Sequence, residues 1–200
     1  MGEGLITRRG GSSSSEVLIE FQNYYNSVEG LTRSIPTPLS VARDDLAGAS
    51  VGAYALFAGG YTGSSRSDAI NAYNTSLTRS TPTALSVARS SLAGASVGVY
   101  ALFAGGRADD SRSNVVDAYN TSLTRSTPTV LSVARSSLVG VSVGDYALFA
   151  GGYTGSDSSS AVDAYNISLT RSTPTVLSAA RYYLAGASVG AYALFAGGYT

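Results

Sequence analysis

The chain has 200 residues, of which 13% are charged against about 25% in ordinary soluble domains, and thirteen Arg balance nine Asp and four Glu. A net charge of zero argues against nucleic acid as a partner, because phosphate binding calls for a basic excess. Lys, His, Cys and Trp are absent, which excludes disulfides, thiol chemistry, Cys/His metal sites and every mechanism built on a His or Lys base.

In chain order, residues 1–15 are rich in Gly and Ser and read as a flexible N-terminal tail, either a connector to a larger particle or a leader without a role. They lack the apolar stretch of a signal peptide, and no apolar run in the chain approaches the ~20 residues of a membrane span. The expectation is cytoplasmic synthesis without membrane insertion. Beyond the tail, residues 16–200 form one repeat domain. Ala-Leu-Phe-Ala-Gly-Gly ends at Gly60, Gly106, Gly152 and Gly198, a spacing of 46 residues each time. Leu-Thr-Arg-Ser begins at 31, 77, 123 and 169 in the same phase, and only the first copy departs, with two extra residues between Tyr25 and Leu31.

Turn residues divide one unit into four predicted strands: Ser90 to Val97, Val99 to Gly105, Asn114 to Asn120, and Leu123 to Thr127 before Pro128. No window sustains a 3.6-residue apolar period, so helical repeats fail, and leucine-rich repeats fail because their period is ~20–29 residues. Four strands per unit point to an all-β propeller, whose blades are four-stranded sheets around a central channel. The N-terminus supplies a third and a fourth strand (Val17 to Tyr25, Leu31 to Ile35), three whole units follow, and the C-terminus supplies a first and a second strand (Tyr182 to Gly198). The two half-blades add to one. The expectation is four blades, closed within one chain. The alternatives are chains that complete one another's half-blades, in a larger ring or a polymer, and a fragment cut at Thr200.

Residues 88 to 106, Ala-Arg-Ser-Ser-Leu-Ala-Gly-Ala-Ser-Val-Gly-Val-Tyr-Ala-Leu-Phe-Ala-Gly-Gly, followed by Val-Asp-Ala-Tyr-Asn at 116 to 120, resemble a kelch repeat. They carry its Arg, small-residue first strand, Tyr-containing second strand, Gly-Gly doublet and Tyr-bearing third strand. The family's Trp, seven residues after that Tyr, is replaced by Ser80, Ser126 and Ser172. Small residues must therefore fill the space between blades. The wording of the unit also resembles kelch-like arrays in tail and surface proteins of Gram-positive bacteria and their phages, which implies a place on a virion or extracellular particle.

Positions constant between copies read as structural. They include the doublets Gly59-Gly60, Gly105-Gly106, Gly151-Gly152 and Gly197-Gly198, and the arginines Arg43, Arg89, Arg135 and Arg181. Arg33, Arg79, Arg125 and Arg171 repeat as well. The arginines read either as ties to backbone carbonyls or as a ring gripping an anion.

Variable positions are free to serve a ligand. After the Ala-Arg pair stand Asp44-Asp45, Ser90-Ser91, Ser136-Ser137 and Tyr182-Tyr183. After Gly-Gly stand Tyr61, Arg107, Tyr153 and Tyr199, and the following loops carry Arg66 and Arg112. The kelch resemblance puts both sets on one binding face. Tyr, Arg, Asp and Ser there suit a surface glycan or protein. Asp44-Asp45 and Asp109-Asp110 do not recur and read as solvated loop charges, and Asn74, Asn120 and Asn166 read as caps of the turn after strand three. The functional expectation is a non-enzymatic recognition module without cofactor or metal. The alternatives are a self-assembling structural repeat and a kelch-like sugar-modifying enzyme.

Overall fold

The protein is described by a computed structural model over residues 34–200, all strand, turn and irregular chain with no helix. The chain divides at Ile35, into Met1–Ile35 and Pro36–Thr200. Of the first, only Ser34 and Ile35 are described, and they are irregular. The tail at 1–15 and the expected N-terminal strands therefore otherwise lie outside the described residues.

Within Pro36–Thr200 the repeat forms antiparallel meanders. The first sheet is β1 (Ala47–Val51), β2 (Tyr54–Ala58), β3 (Ile70–Tyr73) and β4 (Arg79–Ser80), hydrogen-bonded in that order. The second holds β5 (Ala93–Val97), β6 (Tyr100–Ala104), β9 (Val116–Asn120) and β10 (Arg125–Ser126), with a ribbon of β7 (Arg107–Ala108) and β8 (Ser111–Arg112) rising between β6 and β9. The third is β11 (Val139–Val143), β12 (Tyr146–Ala150), β13 (Val162–Asn166) and β14 (Arg171–Ser172). The chain ends in a two-stranded sheet, β15 (Ala185–Val189) and β16 (Tyr192–Ala196).

Every strand of the unit is shorter than the sequence reading, and two of the shifts have local reasons. The first strand starts at Ala93 rather than Ser90 because Ser91 has φ 52°, which breaks an extended run. The fourth shrinks to Arg125–Ser126 because Leu123 has φ 60° and closes the preceding turn. Asn120 stabilises that turn by accepting from the Ser122 and Thr124 amides at 3.0 and 2.9 Å, and Asn74 and Asn166 do the same in their units.

The period of two puts Leu and Phe of Ala-Leu-Phe on opposite faces. Leu56, Ala58, Ile70 and Ala72 of the first sheet pack on Ala101, Phe103 and Tyr119 of the second. Leu102, Ala104, Val116 and Ala118 of the second then pack on Ala147, Phe149 and Tyr165 of the third. Each Phe meets its Tyr edge-on, at 6.0 Å in both sheets. The same interface thus occurs twice among the described residues.

The first strands stand side by side, β5 between β1 and β11, and β11 between β5 and β15. Their approach depends on glycine: a Cβ on Gly94 would strike the Gly48 carbonyl oxygen, and one on Gly140 that of Gly94. Serines fasten the contact, with Ser96 Oγ donating to the Ser50 carbonyl at 2.6 Å and Ser142 Oγ accepting from the Ser96 amide at 2.7 Å.

In the second and third sheets a buried arginine ties the connecting segment to the sheet it enters. Arg89 is fully buried, donates to the carbonyls of Gly105 and Val115 and pairs with Asp117, which is also fully buried. Arg135 pairs with Asp163 at 2.8 Å and donates to the Phe149 carbonyl at 2.9 Å. Asp163 further accepts from Ser132 and pairs with Arg171 at 2.9 Å. Burial pushes both guanidinium groups below their usual range, and the facing carboxylates oppose that shift. The first unit uses Asn71 in place of the aspartate, its amide oxygen accepting from Arg43 at 3.0 Å.

Removing Asp163 leaves Arg135 buried without its counter-charge, so Asp163→Ala should lower unfolding free energy by about 3–5 kcal/mol in urea titration. Asp163→Asn should cost clearly less, because an amide already fills this place opposite Arg43. Equal losses for the two variants would contradict this account of the pair.

Candidate functional site

The variable positions meet because of backbone pairing at one end of each sheet. Asp44 pairs with Tyr61, Ser90 with Arg107, Ser136 with Tyr153, and Tyr182 with Tyr199. Within each pair the amides and carbonyls exchange two bonds, of 3.0 and 2.8 Å for Asp44 and Tyr61. The doublet makes this possible. Gly59 and Gly60 have φ 67° and 112°, and a Cβ on Gly60 would lie 2.5 Å from the Asp44 carbonyl oxygen. The later doublets at 105–106, 151–152 and 197–198 repeat the positive φ. The loops after the first three doublets fold back, with Tyr61 pairing to Arg66, Tyr153 to Ser158, and β7 to β8.

Bonds between units then gather the four ends. The Ser91 amide donates to the Asp45 carbonyl at 2.8 Å, Ser137 to Ser91 at 2.8 Å, and Tyr183 to Ser137 at 3.0 Å. Asp45, Ser91, Ser137 and Tyr183 all take left-handed backbone, φ 50–53°. Strain of this kind at four equivalent non-glycine positions costs about 1–3 kcal/mol each.

The result is a polar recess of about 610 Å³ whose wall draws on all four units. Twelve of the expected positions line it: Asp45, Tyr61 and Arg66; Ser90, Ser91, Arg107 and Arg112; Ser136, Ser137 and Tyr153; and Tyr182 and Tyr183. Asp44 does not, although it makes the same strand pairing as Ser90, Ser136 and Tyr182. Tyr199 also stays outside but joins a group of rings, 5.6 Å from Tyr182, which lies 5.4 Å from Tyr153 and 5.2 Å from Tyr183. Ser64 and Asp110 belong to the wall as well. The sequence carried a signal for them only as members of variable loops. Below the recess a smaller cavity of about 260 Å³ is lined by four equivalent residue pairs, from Asp45-Leu46 to Tyr183-Leu184.

Three arginines and two aspartates share this wall, Arg66, Arg107 and Arg112 with Asp45 and Asp110. Among the described residues none of the three arginines forms a salt bridge. The Arg112 guanidinium lies 5.2 Å from the Tyr153 ring centre, and Asp45 accepts from Ser91 Oγ at 3.1 Å. The repeated arginines sit elsewhere. Arg89 and Arg135 are sealed in the core, Arg43 and Arg181 donate to carbonyls, and Arg79 and Arg125 hold the connecting segments through Pro38 and Ala84. Arg171 pairs with Asp163, and Arg33 lies outside the described residues. Such side chains are committed to the fold and leave the recess to the variable set.

The chain matches no protein-family model, and no curated protein matches it at a significant level. The functional argument therefore rests on the geometry of this recess.

The strain at these positions is open to a direct test. Ser137 makes no side-chain hydrogen bond of its own among the described residues, and Ser137→Gly should raise stability by about 0.5–1 kcal/mol, the relief of left-handed backbone less the entropy of glycine. A drop in melting temperature would show that the hydroxyl does more for the fold than the strain costs.

Proposed function

We propose that this chain is a kelch-like β-propeller that binds an acidic surface glycan in the recess shared by its four units. The observation that carries the reading is the gathering of the variable positions, in one polar recess, from units whose packing residues barely change. Duplication copies every position alike. A wall that differs from unit to unit, on a frame that does not, is what recognition of an asymmetric ligand requires.

The chemistry of the wall favours a sugar acid. Tyr61, Tyr153, Tyr182 and Tyr183 offer rings on which pyranose faces stack, and the aspartates and serines offer partners for hydroxyls. Three arginines against two aspartates leave one guanidinium in excess, suited to a ligand carboxylate held bidentately. The volume falls within the range of small-molecule sites.

The propeller reading is supported by the meander order of each sheet, by first strands standing in sequence beside one another, and by a cavity lined by the same pair from each unit. In this reading the module acts by binding and not by catalysis. Its setting is a phage tail or related surface particle, to which residues 1–15 connect it.

A mixed array of acidic and neutral oligosaccharides tests the proposal. The expected result is binding to carboxylate-bearing sugars, with affinity at least tenfold lower in Arg107→Ala and in Tyr182→Ala, both at the recess and neither in the core. No glycan bound, or equal affinity in both variants, would overturn it. A protein ligand isolated on the same face would replace the glycan.

A further inference from the structure

Among the described residues the repeat leaves two unlike faces open, one on the first sheet and one on the last. On the first sheet Phe57 is 37% exposed, whereas its equivalents Phe103 and Phe149 are fully buried. Beside it lies an apolar groove of about 610 Å³ with Ala47, Gly48, Ala55 and Tyr73 in its wall and no charged residue. On the last sheet, Val189, Tyr192 and Leu194 of β15–β16 are 61%, 72% and 53% exposed, while the equivalent Leu56 and Leu102 of the first and second sheets are buried.

What covers each face is on view inside the chain. The Phe-Tyr face of the second sheet is covered by the Leu-Ala face of the first, and that of the third by the second. The open groove is therefore the receiving half of an interface whose inserting half is the open face of β15–β16. Two strands suffice to form such a contact, since β15 already packs against β11. Among the described residues β1 does not lie along β15 as it does along β5.

We propose that the Phe57 groove docks the Leu194 face of a second copy of this chain, head to tail. The contact repeats the internal interface, so side-chain size and polarity are matched without further adaptation. Because the two faces differ, the association is heterologous and extends to a closed ring or an open row. The proposal depends on the two internal interfaces alone and stands apart from the glycan reading.

Light scattering on the full chain over a hundredfold concentration range tests it. The wild type should rise above the monomer mass of 20.3 kDa, and Phe57→Asp or Leu194→Asp alone should hold the chain at that mass. An equimolar mixture of the two variants should form a species of twice that mass and no larger, because each retains one intact face. Melting temperatures close to wild type would show that both variants fold. A wild type that stays at 20.3 kDa throughout overturns the proposal, and closure within one chain is then indicated if either substitution lowers the melting temperature. Growth in mass that neither substitution reduces also overturns it.

Discussion

The structure depends on how closely one first strand can lie against the next. At Gly94 and Gly140 there is no room for a side chain, because the carbonyl of the preceding unit's glycine occupies it. That approach brings serines within hydrogen-bonding range across units and sets the spacing at which Leu-Ala faces meet Phe-Tyr faces. Hydrophobic burial supplies most of the stabilisation, of the order of 2–3 kcal/mol for each wholly buried Phe. The glycine column decides where that burial occurs.

The same spacing produces the recess. Since each unit donates from residue 91, 137 or 183 to the unit before it, the residues after every Ala-Arg pair are drawn toward one another. The tie has a conformational cost, visible as left-handed backbone at Asp45, Ser91, Ser137 and Tyr183. Structural and recognition duties are thereby separated. Arg89 and Arg135 spend their donors on carbonyls and aspartates in the core, while Arg66, Arg107 and Arg112 form no salt bridge among the described residues and line the recess.

Much of this was legible in the sequence because the chain carries its own comparison. Copies 46 residues apart separate what packing demands from what it tolerates, and that contrast alone picks out Asp45, Arg107 and Tyr182. The all-β class and the four strands per unit followed from turn residues and from the absence of helical periodicity. Other features were not legible. Asp117 and Asp163 passed unnoticed as partners of the repeated arginines, because nothing in a linear pattern says that residues 28 apart share a buried ion pair. The left-handed Ser91 was read as strand, since serine gives no warning of positive φ. Ser64 and Asp110 reach the recess through loop conformation that composition does not fix.

The central claim, that consecutive first strands lie in contact, is best tested by crosslinking. The natural chain has no cysteine, so Ser50→Cys with Ser96→Cys introduces a single pair at positions joined by the bond from Ser96 Oγ to the Ser50 carbonyl. On mild oxidation this variant should form an intramolecular disulfide in high yield, detected by mass and by faster migration on a non-reducing gel. Free thiols after oxidation, or disulfides only between chains, would contradict the account.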